Sequence, residues 1–219
     1  MNTKPREIQT ELAIIGTGLA GVAATIFAMN RGLSVTQVGN TGALAYTTGY
    51  LDLLGSVGDT YSAKSNDPWS MLKALREQEP MHPLARISDE DIRASFTEFT
   101  DYISKCGISY TSPGEKNVQA LTPAGTVKQT MCVPETMQHG VEAYDLKKRA
   151  LLIDFKGLRG FSGRQIVANM KRSWPTLSCE RIDFPAVFKE ELYPEVLART
   201  LEVRDNRVRL ADAVKPLLN

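Results

Sequence analysis

Three glycines, Gly16, Gly18 and Gly21, follow the apolar run Leu12-Ala13-Ile14-Ile15 at the spacing G-x-G-x-x-G. Glycines in that pattern let main chain grip a phosphate. The first permits a tight turn out of a strand, the second lets backbone approach the anion, and the third lets a helix pack closely on the sheet. The alanine-rich stretch after Gly18 ends at Arg31-Gly32 and reads as that helix, from about 19 to 31. Its unpaired N–H groups and positive dipole end would face the anion. Thr17, Leu19 and Ala20 lie between the glycines and belong to the same cradle.

The cradle needs two parallel strands to hold it, expected at about 11–16 and 33–39. In most dinucleotide sites the second strand ends in Asp or Glu, whose carboxylate bonds the adenosine ribose. Here that position is Gly39, followed by Asn40. The phosphate cradle is present and the usual ribose anchor is missing. That favours a mononucleotide over a dinucleotide, and argues against a nicotinamide dinucleotide in particular.

Residues 40–49 are dominated by small and hydroxylic side chains. Ala45, Thr47, Thr48 and Gly49 would let backbone approach a flat ring, with hydroxyls and amides free to bond its heteroatoms. The same composition also suits an ordinary surface loop.

With 219 residues, 42% hydrophobic and 23% charged, the chain has the makeup of one large or two small globular domains. A net charge of +1 gives no global electrostatic case for nucleic acid or a lipid surface. Leu12 to Met29 carries no charge and superficially resembles a signal peptide or membrane span. Glu7 and Glu11 at its edge and the three glycines within it favour the strand–turn–helix reading. Cys106, Cys132 and Cys179 form no CxxC pair, which argues against an iron–sulfur or zinc site in this chain. They read as reduced, buried small hydrophobes.

Further along, Asp67-Pro68 and Ser88 start helices expected near 68–78 and 89–106, with Gly107 closing the second. His82, between prolines, reads as structural. Val118–Leu121 and 127–133 read as a hairpin about Thr122-Pro123-Ala124-Gly125-Thr126. Strands are expected at 150–155 and 177–184, and helices after the turn that ends at Gly163, through Gln165 to Met170, at 193–201 and at 208–218. Lys156, Arg159 and Arg164 beside the glycine-rich turn at 157–163 suggest either a second anion site or a solvated basic edge. The sequence divides into residues 1–56, 57–149 and 150–219: a cofactor-binding βαβ start, a helical and hairpin insertion, and a second α/β segment.

Several segments, in order, carry a family likeness. They are the Gly16–Gly21 turn, Thr41-Gly42-Ala43-Leu44, Thr48-Gly49-Tyr50-Leu51-Asp52-Leu53-Leu54, His82-Pro83, Thr122–Thr126 and Gly157–Phe161. Together they resemble the flavoprotein subunits B of anaerobic glycerol-3-phosphate dehydrogenases, along essentially the whole chain and about the amino-terminal half of that family's length. The resemblance implies an FAD/NAD(P)-binding Rossmann-like three-layer α/β fold, incomplete without a carboxy-terminal half. It also implies a flavin, described as FMN and favoured here over FAD by Gly39. The complex so implied oxidises glycerol 3-phosphate to dihydroxyacetone phosphate and passes electrons to quinone. Its implied partners are the catalytic subunit, which carries the dehydrogenase chemistry, and an iron–sulfur subunit that docks the pair to the inner face of the cell membrane. A cofactor-free assembly module built on the same fold is the competing expectation, and a NAD-dependent reductase a third.

Overall fold

The computed structural model describes residues 7–40, 47–55, 66–187 and 191–218. The chain divides into two compact units, Met1–Val118 with Thr130–Thr136, and Gln119–Gln129 with Met137–Asn219.

In the first unit, β1 (Leu12–Ile15), α1 (Leu19–Asn30) and β2 (Val35–Val38) form a βαβ start. The strands pair in parallel, Leu12 with Val35 through Ile15 with Val38. Paired residues share a face, so Leu12, Ile14, Val35 and Gln37 lie on one side and Ala13, Ile15, Thr36 and Val38 on the other. Gln37 reaches toward α1, and Ile15 on the opposite face is 89% exposed. The apolar run at 12–29 is thus a strand, a glycine turn and a helix, and no described helix is long and apolar enough to cross a membrane.

Two amphipathic helices complete this unit. α2 (Pro68–Gln78) is capped by Asp67, whose carboxylate accepts from the N–H groups of Trp69 and Ser70 at 3.0 Å. α3 (Asp89–Lys105) is capped by the Ser88 hydroxyl, which accepts from Asp91 N–H at 3.0 Å. Leu72, Leu75 and Ile92 form their common core, with Leu53, Leu54, Leu84 and Phe96 against it. A short 3₁₀ turn at Pro83–Arg86 joins them, and His82 Nδ1 accepts from Leu84 N–H at 3.2 Å. His82 is therefore a cap, as its place between prolines suggests.

Beyond them, β3 (Val118–Leu121) and β4 (Val127–Thr130) pair across the turn at 122–126. α4 (Glu135–Asp145) precedes a second parallel unit, β5 (Ala150–Phe155), α5 (Gly163–Met170) and β6 (Leu177–Ile182). Tyr144, Ile166, Met170, Trp174 and Leu177 form its core. α6 (Pro194–Leu201) and α7 (Arg204–Val214) follow, with Leu197 packed beside Phe184 and Leu192.

Some sequence expectations are corrected. β4 stops at Thr130, not 133, because the next residues turn their hydrogen bonds to Leu51: Met131 and Cys132 N–H both donate to its carbonyl, at 2.9 and 3.1 Å. β6 stops at Ile182, α7 starts four residues early at Arg204, and α4 has no counterpart among the elements expected from sequence. Cys132 is fully buried as expected, but Cys106 is exposed and Cys179 only partly covered. Each sheet among the described residues has two strands.

Candidate cofactor-binding site

The turn between β1 and α1 is fastened to β2 at two points. Gly16 N–H donates to Val38 O at 2.7 Å, and Gln37 Nε2 donates to Gly16 O at 2.7 Å. Gly16 has φ +120°, a conformation that requires glycine. At Gly21 a Cβ would overlap the Gly16 carbonyl oxygen and lie 3.1 Å from Gln37 Nε2. These two glycines are there for the fold: one makes the turn, the other lets α1 cross it.

Gly18 is different. Its φ of −75° and ψ of 179° suit any residue, and a Cβ there would meet nothing within 4 Å. Among the described residues no side chain caps α1, and the first-turn N–H groups of Leu19, Ala20 and Gly21 have no partner within the helix. Unsatisfied donors, a positive helix end and room where a side chain would stand fit a phosphate.

Thr17 is engaged elsewhere, its hydroxyl donating to the Asn40 carbonyl. Gly39 directly follows β2 beside it, where a Cβ would come 2.9 Å from Thr17 Cγ2.

Thr47, Thr48 and Gly49 form a tight local turn. Thr47 Oγ1 accepts from Gly49 N–H and Thr48 Oγ1 from Tyr50 N–H, each at 3.3 Å. Gly49 has φ +71°. Each hydroxyl thus accepts from the backbone two residues on, which fixes the local turn and uses an oxygen lone pair, not the O–H donor. Ala45 lies outside the described residues.

A feature that sequence reasoning did not anticipate is the cavity beside the helix start. About 480 Å³ in volume, it is walled by Leu19, Ala20 and Ala23 of α1, by Tyr50–Leu53, and by Ile92, Phe96 and Phe99 of α3, among others. Thr47, Thr48 and Gly49 do not line it. Its size is that of a small-molecule pocket, and its walls are mostly apolar. Tyr50, a wall residue, is buried, which raises its phenol above the usual tyrosine range and keeps it neutral. The helical spacing of apolar residues on α3 signals a buried face, while nothing in the sequence shows that Tyr50–Leu53 meets α1. Gln37, an amide-bearing residue on the face of β2 turned to α1, is the side chain that locks the turn.

At the second glycine-rich turn two of the three basic side chains meet carboxylates. Lys156 Nζ pairs with Asp183 at 2.8 Å, and Arg159 pairs with Glu191. Ser162 caps α5, and the buried Asp154 carboxylate accepts from Gly163 N–H at 3.2 Å. Among the described residues no three His, Cys, Asp or Glu side chains gather to hold a metal.

A parallel β-α-β start whose glycine turn leaves a bare helix end defines a nucleotide-binding class of protein. The chain belongs to the FAD binding domain family, whose model matches residues 11–214, and its cofactor class is accordingly a flavin. It is similar to the anaerobic glycerol-3-phosphate dehydrogenase subunits B of several bacteria. The Actinobacillus succinogenes protein is 25% identical over 94% of this chain and 50% of its own length. That of Vibrio vulnificus (strain YJ016) is 27% identical over 78% and 39%. The Vibrio cholerae El Tor protein is 30% identical over 55% and 28%. The chain thus spans about half the length of the first of these relatives, or less of the others. No solved structure matches it.

Proposed function

We propose that this chain is the flavin-holding part of an oxidoreductase of the anaerobic glycerol-3-phosphate dehydrogenase type. The observation that carries the reading is the bare α1 N-terminus beside the open backbone of Gly18. The N–H groups of Gly18, Leu19, Ala20 and Gly21 would hold the flavin phosphate, with Gly16 and Gln37 fixing the turn behind them. Thr17 and Asn40 close the strand end beside it, at Gly39. Ala45, Thr47, Thr48 and Gly49 are assigned to the ring side. A bound flavin would supply two-electron chemistry; the chain orients it and keeps water from the apolar walls of the neighbouring cavity.

The substrate is glycerol 3-phosphate, oxidised to dihydroxyacetone phosphate in a complex with two partners, the catalytic subunit and an iron–sulfur protein. Electrons leave for quinone, and the assembly sits at the inner face of the cell membrane through its partners. The names of the relatives support a subunit of a glycerol-3-phosphate dehydrogenase; the named partners, the quinone and the membrane face rest on the family resemblance alone. FAD is the flavin named by the matched family. FMN is the competing occupant because Gly39 follows β2, without a carboxylate for an adenosine ribose. The visible spectrum of the purified chain, titrated with each flavin, tests this. Flavin bands at one per chain support it, and a folded protein that stays colourless with both favours a cofactor-free docking module.

A further inference from the structure

Gly39 has a backbone conformation open to any residue, since its φ is not among the positive values. Its lack of a side chain therefore comes from space, and the space is taken by Thr17. A Cβ at Gly39 would stand 2.9 Å from Thr17 Cγ2, 3.2 Å from Thr17 Oγ1 and 3.1 Å from Thr17 N. The first two contacts belong to a side chain that cannot easily move aside. Thr17 is β-branched, with few χ1 states, and its hydroxyl is held on the Asn40 carbonyl. That bond also ties Asn40, the second residue beyond β2, to the glycine turn.

We propose that Thr17 and Gly39 act as one coupled specificity device. Thr17 fills the volume through which an acidic side chain would leave the end of β2. The turn therefore takes a phosphate-anchored flavin with no carboxylate on the ribose. The proposal rests on the flavin reading above and adds that the missing acid is enforced by a residue in the glycine turn, not by Gly39 alone. It also predicts that a glutamate placed at 39 by itself does harm.

The test is a double-mutant cycle on the purified chain with two readouts, thermal unfolding of the apoprotein and fluorescence titration with FAD and FMN. Gly39→Glu alone should lower Tm by about 2–12 °C through overpacking, and weaken both flavins. Thr17→Ala alone should cost less. In Thr17→Ala/Gly39→Glu most of the Tm loss should return, and the ratio of FAD to FMN affinity should rise about tenfold as the carboxylate gains the ribose. Strictly additive Tm changes, or a Gly39→Glu protein as stable as the parent, overturn the coupling. An unchanged FAD to FMN ratio in a double variant that binds flavin overturns the specificity role. Absence of flavin binding by the parent removes the flavin reading and the specificity role with it, while the Tm cycle still decides whether the two residues compete for one space.

Discussion

The two parallel units, β1–α1–β2 and β5–α5–β6, are built alike and finished in opposite ways. Each runs from a strand through a glycine-bearing turn into a helix, and each needs a glycine where helix meets sheet. A Cβ at Gly21 would strike the Gly16 carbonyl, and one at Gly163 would strike Cys179 Sγ and lie 3.1 Å from Asp154 Cβ. The helix ends then diverge. At α5 the protein supplies its own occupants: the Ser162 hydroxyl accepts from Gln165 N–H at 3.4 Å, and the Asp154 carboxylate accepts from Gly163 N–H. At α1 none of the described residues does so. The same strand–glycine–helix pattern thus leaves a helix end open to an anion in one unit and fills it with the protein's own groups in the other. α6 and α7 also lack side-chain caps, but neither follows a strand through a glycine turn.

The sharpest way to break this comparison is Gly18→Val. The position is sterically open to the protein, so the variant should fold, losing under about 1 kcal/mol from the poorer cap residue. Flavin affinity should fall about a hundredfold, as displaced N–H bonds to a charged phosphate predict. Equal affinity in a folded variant, by fluorescence titration, would take the phosphate out of this turn.

Gly163→Ala probes the closed end. It should destabilise the protein by about 1–3 kcal/mol through overpacking, read in urea unfolding. Adding Cys179→Ala should recover most of the loss, because the sulfur is the atom in the way. Failure to recover would move the constraint to Asp154.

A reciprocal exchange of caps gives a smaller effect. Ser162→Ala should cost about 0.5–1 kcal/mol, and Gly18→Ser should gain about 0.2–0.5 kcal/mol by giving α1 the cap it lacks. The serine should also weaken flavin, since its hydroxyl takes the donors meant for the phosphate. A stabilised variant with undiminished binding would argue against that competition.

The smallest effect is a pH dependence at the ordinary cap of α2. The hydroxyl and N–H of Ser70 hold the Asp67 carboxyl below the usual aspartate range. Such a group contributes fully above its unfolded value, and the contribution is lost as pH falls through the folded one. The Tm difference between the parent and Asp67→Asn should therefore narrow in acid below the ordinary aspartate range. A difference constant with pH would show that charge plays no part in this cap.

The elements that frame the site are legible in the sequence because each carries a local signature. The apolar run at 12–15, the glycine spacing, Asp67-Pro68 and Ser88 all act within a few residues of themselves. α4 is not legible: it holds Gly140 mid-helix and buries only Val141 and Tyr144, too little for a visible stripe. The end of β4 depends on Leu51, 79 residues before Thr130, which claims the chain through its carbonyl. The cavity depends in the same way on packing between segments that are distant in sequence. The two glycine turns differ by their caps, and Ser162, an N-cap residue type just ahead of α5, is the local sign that the basic loop closes on itself.

The hydrogen bond from Gln37 to Gly16 has a consequence for kinetics. Gln37 lies on β2, so the turn is locked by strand pairing as the protein folds, before any ligand arrives. A receptor set in advance loses little conformational entropy on association. Binding to such a turn should proceed in a single bimolecular step, with a rate linear in ligand concentration. Gln37→Leu removes the lock and leaves the Gly16 carbonyl without that donor. It should convert the process into one with a slow, concentration-independent phase as the loosened loop orders itself around its ligand.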